Sequence, residues 1–322
     1  MGIEGRMNIT LEQTYKDRDV EEKIDIYFYR RLGFRLALLA RRFGVVPNVV
    51  TVIGILIGLI SGHFFYYDSL RINLIGMALW VVSNIFDSAD GQLARMTGKT
   101  SEIGRILDGL GGSLVFFSMY VHICFRYIEG GGGFGYWIFP IAVLAGFCHS
   151  LQSAMADYFR NAYLQYGSVQ PKGELTTAAY VEEQYRTESW RRNPFLKLFL
   201  RIYLNYTRQQ EHFSPAFQQF RRFVEATWNG NPPETFRARY RAANRPLLKF
   251  FNYLTINGRV LTLFAFVALG IPAAFFPVEI VGMTLLLWAV LSVQEERIRT
   301  LHRTAAMQND NDVSSVALEG IS

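Results

Sequence analysis

The sequence predicts an all-α integral membrane protein in which an amphipathic interfacial helix precedes six transmembrane helices. Three observations carry this. The chain of 322 residues is 50% hydrophobic, with a mean hydropathy of +0.12, too apolar for an ordinary soluble chain of this length. Six stretches approach the ~20 mostly apolar residues needed to cross a bilayer core of about 30 Å. Lys and Arg also cluster on alternate flanks of those stretches.

In chain order, MGIEGRM contains IEGR, which looks like a protease-cleavage linker left by cloning. Residues 1–6 are therefore set aside, and the native start is expected at Met7. Residues 8–31 are polar and charged, with no apolar signal-peptide core. Residues 24–43 are apolar but broken by arginines at short intervals, the pattern of a helix lying in the interface. Together they make a cytosolic N-terminal segment over 7–46. Spans are predicted near 48–67, 71–90, 104–126 and 134–158, a block over 47–164. Two more, near 257–276 and 277–294, form a hairpin turned at Pro277 within 257–296.

Residues 165–256 form a mostly helical cytosolic insertion. Within it Phe195, Leu198, Phe199, Ile202 and Tyr206 recur at helical spacing in a stretch too short to span. That stretch either lies on the membrane surface or packs within a small helical cap. The cytosolic tail is 297–322; after Arg303 it has little apolar periodicity and is predicted to be disordered. Cys124 and Cys148 both sit in apolar runs, which excludes a disulfide framework and a cysteine metal site.

Orientation follows from the cations. Arg30, Arg31, Arg35, Arg41, Arg42, Arg95, Lys99, Arg105, the insertion, Arg297, Arg299 and Arg303 fall on one side, against Arg71 and Arg126 on the other. The positive-inside rule then places both termini, the 91–103 loop and the insertion in the cytosol. The net charge of +6 belongs to this face and suits anionic headgroups or phosphates, although a topology-setting collar explains it equally well. No nucleic-acid partner is expected.

The second span ends in DSADGQLARM, residues 87–96. Asp87 and Asp90 are three apart and share a helical face. Asp108 opens the third span, and the short loop makes these helix ends neighbours. Like charges about 4 Å apart repel by about 4 kcal/mol at an effective dielectric near 20, so the cluster calls for protons, cationic partners or a divalent cation. Oxygen-only ligands point to Mg²⁺, Mn²⁺ or Ca²⁺. Gly91 and Ala94 are small enough to let a bulky group approach, and Arg95 suits a phosphate. The array reads as a metal-dependent phosphate site. The plain alternative is a set of helix-end carboxylates facing water and paired with Arg95 and Arg105.

These residues resemble the signature of the CDP-alcohol phosphotransferase (CDP-alcohol phosphatidyltransferase) family. That signature is Asp-x2-Asp-Gly-x2-Ala-Arg, followed after eight residues by Gly, then x3-Asp and x3-Asp. Asp87, Asp90, Gly91, Ala94, Arg95, Gly104 and Asp108 match it at every spacing. The family's six helices after an amphipathic helix also look like the span map. PNVVT, residues 47–51, resembles the Pro-Asn-x2-Thr that opens the family's first span and adds Asn48 and Thr51 as substrate-binding candidates. The resemblance covers residues 24–160, and 257–300 by hydropathy alone.

The resemblance implies transfer of a substituted phosphate from a CDP-linked alcohol to an acceptor hydroxyl with release of CMP, in phospholipid synthesis. It implies one or two Mg²⁺ or Mn²⁺ ions on Asp87, Asp90 and Asp108, with Gly91, Ala94, Arg95 and Gly104 around the nucleotide. Asp108 and Arg95 would act in catalysis. One of the two substrates would be a lipid, the protein a homodimer, and the active site on the cytosolic side of the plasma (inner) membrane.

One position departs. The family's final aspartate, its metal ligand and base, falls at 112, where this chain has Gly112. Asp157, carried back to the cytosolic level with Arg160 by the fourth span, is a replacement carboxylate; Arg160 would hold an anionic acceptor. Glu102 is a second carboxylate, and a metal that lowers the hydroxyl's pKa unaided is a third route. His122 lies about 21 Å along a helix from Asp108, at the wrong depth. Gly112 also supports an alternative, an impaired family member that binds CDP-lipid or metal as a scaffold or regulatory partner.

Overall fold

The computed structural model describes residues 19–99, 102–168, 173 and 175–319, leaving aside the side chains of residues 102, 103, 105, 106, 108 and 309–319. Residues 1–6 lie outside the described residues. Among those described, all regular structure is helical. After a π-helical turn at Asp25–Tyr29 come α1 (Arg30–Arg42), α2 (Pro47–His63), α3 (Leu70–Thr97), α4 (Glu102–Glu129) and α5 (Ile138–Tyr166). The predicted insertion holds α6 (Ala178–Thr187), α7 (Pro194–His212), α8 (Pro215–Trp228), α9 (Glu234–Asn244) and α10 (Leu248–Tyr253). Then follow α11 (Ile256–Ala268), α12 (Phe275–Pro277), a π-helical stretch at Val278–Met283 and α13 (Thr284–Glu319).

Among the described residues, three helical stretches are long and apolar enough to cross a membrane: Leu70–Thr97, Gly135–Tyr166 and Pro272–Gln308. Glu234–Tyr253 with Ile256–Ala268 makes a fourth if that bent pair is one broken span. Two further predicted spans fall on shorter helices, α2 with 17 residues and α11 with 13.

The chain forms two compact units, Met1–His149 with Arg259–Val281 and Ser150–Gly258 with Gly282–Ser322. In the first, α2 is the central packing element. Pro47 opens it at the position where a missing N–H costs nothing. Gly54, Gly58 and Gly62 follow at four-residue intervals along one face. A Cβ on Gly54 would stand 2.9 Å from Phe86 Cβ of α3, and one on Gly58 would clash with a methyl of Val115 of α4. Such close approach lets serines bond across helices: Ser83 Oγ donates to Gly54 O at 2.8 Å, Ser61 Oγ to Gly76 O at 2.8 Å, and Ser118 Oγ to Leu59 O at 2.9 Å. A Gly58→Ala substitution overpacks this seam and is expected to cost about 1–3 kcal/mol, read as a lower unfolding temperature in detergent.

The hairpin predicted to turn at Pro277 turns earlier. α11 ends at Ala268, Gly270 takes a left-handed φ of +77°, and Ile271 leaves helical geometry before Pro272. Pro277 sits inside the helix that follows, at the last residue of α12 and directly before the π-helical stretch at Val278–Met283. The tail also differs from expectation: α13 runs on to Glu319, past Arg303 through the helix-favouring Ala305, Ala306, Met307 and Gln308 and on through weaker helix formers.

In the second unit an aromatic core of Tyr166, Phe217, Phe220, Phe236 and Tyr240 joins α8 and α9 to the end of α5. The Glu295 carboxylate of α13 accepts from the N–H groups of Ala216 at 2.7 Å and Phe217 at 3.3 Å, so a buried anion closes the N-terminus of α8.

Candidate active site

On α3 the motif positions 87, 90, 91, 94 and 95 follow i, i+3, i+4, i+7, i+8 and so fall on one helical face. The interleaved residues face the other way. Ala89, Leu93 and Met96 are buried against Ala37 and Ala40 of α1 and Val50 of α2. Gln92, wholly buried, donates from Nε2 to Arg30 O at 3.1 Å and to Ser88 Oγ at 3.2 Å. Gly33 allows this packing, since a Cβ there would come within 2.8 Å of Ser88 Oγ. The non-signature half of the motif thus anchors the signature half.

Asp90 is buried and Asp87 exposed. The Arg95 guanidinium lies over Gly91: a Cβ at 91 would stand 3.5 Å from Nη1 and 3.7 Å from Nη2. Gly91 itself places no side chain against the guanidinium. Gly98, left-handed with a φ of +65°, ends α3. Asp90 precedes the end of α3 by seven residues, and Asp108 follows the start of α4 by six. Both backbones therefore lie about 10 Å along their helices from the connecting loop. The Asp108 side chain lies outside the described residues, as does that of Glu102. Among the described residues no three His, Cys, Asp or Glu side chains converge on a metal position. Asp87 and Asp90 nonetheless supply hard oxygen donors one turn apart, the donor type that Mg²⁺ and Mn²⁺ take.

The other candidates are distributed as follows. Ala94 and Gly104 are partly exposed on α3 and α4, and Asn48 is partly exposed in the first turn of α2. The buried Thr51 hydroxyl donates to Pro47 O at 3.2 Å. Asp157 and Arg160 lie on α5 in the second unit, where they pair at 3.4 Å. His122 Nδ1 meets Ser118 O at 2.7 Å, and its ring packs edge-on to His63, a satisfied polar residue.

Gly112 is exposed, and a Cβ there would meet nothing within 4 Å. The site has room for a side chain that the sequence does not supply. Gly112→Ala should therefore remove only a helix-interior glycine and stabilise the protein by about 0.5–1 kcal/mol, seen as a higher unfolding temperature.

Sequence reasoning missed a buried charged cluster in the first unit. Arg259 and Glu279 are wholly buried and form an ion pair. The Tyr120 hydroxyl donates to Glu279 Oε2, and His149 Nδ1 lies 3.4 Å from Glu279 Oε1. A turn at Pro277 separates Arg259 and Glu279 by depth. With the turn at Gly270, eleven residues after Arg259 and nine before Glu279, they come level. Charged residues inside two predicted spans were the available signal.

Residues 44–179 match the family model described as CDP-alcohol phosphatidyltransferase. Over 78 residues the chain is 40% identical to an archaetidylinositol phosphate synthase of Pyrococcus horikoshii, a match covering 24% of this chain and 38% of that protein. The chain thus spans well under half the length of this relative. No solved structure matches it.

Proposed function

Because residues 44–179 match the CDP-alcohol phosphatidyltransferase family model, we propose that the protein transfers a substituted phosphate from a CDP-linked alcohol, CDP-diacylglycerol or a CDP-polar alcohol, to an acceptor hydroxyl, releasing CMP. The observation that carries this reading is the single face of α3 bearing Asp87, Asp90, Gly91, Ala94 and Arg95, with the guanidinium lying over the glycine. Asp87, Asp90 and Asp108 would hold Mg²⁺ or Mn²⁺. Bound there, the ion offsets charge on the diphosphate and on the attacking and leaving oxygens.

The remaining work falls to the chain. Arg95 holds and neutralises a phosphate, and Gly91, Ala94 and Gly104 leave space for the nucleotide. Asn48 and Thr51 belong to the same binding region. The acceptor oxygen forms a bond to the phosphorus that carries the donor's alcohol. The bond from that phosphorus to the bridging oxygen breaks, and CMP leaves. The acceptor's proton passes to a base other than residue 112.

The reading includes six spans, with α2, α4 and α11 completing those selected by length and apolarity, and α1 lying in the interface. It places the protein in the plasma (inner) membrane as a homodimer, with its site facing the cytosol. The test is CMP release by purified protein from CDP-diacylglycerol and CDP-linked polar alcohols, with and without Mg²⁺ or Mn²⁺, across acceptors that include an inositol phosphate. Metal-dependent CMP release is expected. Nucleotide binding without CMP release for any pair would overturn the transferase and leave a scaffold.

A further inference from the structure

The stretch PFLKLFLRIYLNY, which sequence alone leaves between a membrane surface and a helical cap, forms the first two-thirds of α7. One stripe of this helix, Lys197, Leu200, Leu204, Thr207 and Gln210, is buried. Leu200 and Leu204 pack on Ala178 and Val181 of α6. The Lys197 ammonium is used internally: it donates to the carbonyls of Tyr185 and Glu188 and lies 4.3 Å above the Tyr185 ring. Glu182 of α6 clamps the pair further by accepting from Arg208 at 2.9 Å.

The opposite stripe has no such use. Phe195, Leu198 and Ile202 are 84%, 48% and 51% exposed, an i, i+3, i+7 row of large apolar side chains. Trp190 is exposed beside it, and so are Arg191, Arg192 and Arg201. The C-terminal end of α7 reaches the apolar helices of its own unit. Gln210 Nε2 donates to Ala154 O at 2.9 Å, and the Phe213 ring meets Trp288 edge-on at 5.4 Å. Ala154 and Trp288 belong to two of the stretches able to cross a membrane. The C-terminal end of α7 is therefore tied to apolar helices of its own unit, while its N-terminal half carries an exposed apolar row, preceded in the chain by Trp190, Arg191 and Arg192.

We propose that this outward face of α7 rests in the interfacial layer of an anionic lipid leaflet, with Phe195, Leu198 and Ile202 among acyl chains and Arg191, Arg192 and Arg201 at lipid phosphates. An apolar helical row flanked by arginines and an aromatic residue at the helix start is what such a layer accommodates. Water leaves the apolar row uncovered, and a second copy of the chain would set the three arginines against their own kind.

The test uses the full chain in nanodiscs of phosphatidylcholine, with or without phosphatidylglycerol. Cysteine replaces Phe195, Leu198 or Ile202 one at a time in a Cys148→Ala background, with the buried Cys124 left in place, and carries a fluorophore. Glu183→Cys, at an exposed acidic position on α6, is the control. We expect nitroxide-labelled lipid to quench the three α7 labels at least twofold more than the control, and iodide to quench them at least twofold less. Phosphatidylglycerol should strengthen lipid quenching, and the combined Arg191→Ala, Arg192→Ala and Arg201→Ala change should remove that increase. Iodide access equal to the control without lipid quenching overturns the proposal, as does energy transfer between separately labelled chains in place of lipid quenching. Lipid quenching indifferent to phosphatidylglycerol overturns the anionic preference.

Discussion

Replacing Arg259 by Ala is expected to cost about 3–5 kcal/mol of stability, the largest effect of any single substitution considered for this chain. Arg259 and Glu279 are both wholly buried, and the guanidinium donates to the carboxylate. Removing one partner leaves the other as a charge without its counter-ion in a medium that cannot solvate it. Glu279→Ala should be comparably damaging, and it also strips the acceptor from the Tyr120 hydroxyl and the carboxylate from beside His149. The pair's geometry also predicts non-additivity. Arg259→Met combined with Glu279→Leu removes both charges and should recover much of the loss, because no buried charge is stranded. Denaturant or thermal unfolding in detergent reads all three variants. An Arg259→Ala protein that unfolds at the parent temperature would show that the pair does not hold α11 to the helix after the turn.

The second large effect is on the turnover proposed above. Asp87→Asn keeps side-chain size and removes one negative charge from the signature face of α3; CMP release should fall about 100-fold or more, on the scale of losing one preorganised electrostatic contact to a reacting group. Asp90→Asn should do the same. Because Asp87 is exposed, its substitution should leave the unfolding temperature unchanged, so lost activity separates from lost folding. The proposed metal site supplies a further readout: with fewer anionic donors, Asp87→Asn should need more Mg²⁺ or Mn²⁺ for any residual rate. Full activity in Asp87→Asn at the parent's metal concentration would defeat the ligand assignment.

Much of this protein is local in origin, which is why the linear chain reports it. Apolar runs of helical length become helices wherever they stand, since each backbone donor finds its acceptor four residues away. The signature is local too. Five of its positions recur at i, i+3, i+4, i+7, i+8, so their shared face follows once α3 is helical. Even the departure at Gly112 is legible as a missing side chain, and the open space around it adds only that a side chain would fit there.

The sequence by itself determined the helical class, most of the apolar helices and the residue pattern gathered on α3. The tertiary structure decided which residues far apart in the chain meet. The left-handed Gly270, rather than Pro277, turns the last hairpin and so brings Arg259 level with Glu279. α2 approaches α3 and α4 closely because Gly54, Gly58 and Gly62 lack side chains and Ser83 and Ser118 find its carbonyls. On α7, packing against α6 chose which apolar stripe to bury and which to leave outward. Each of these outcomes compares contacts between distant segments, and periodicity along one segment carries no information about its partner.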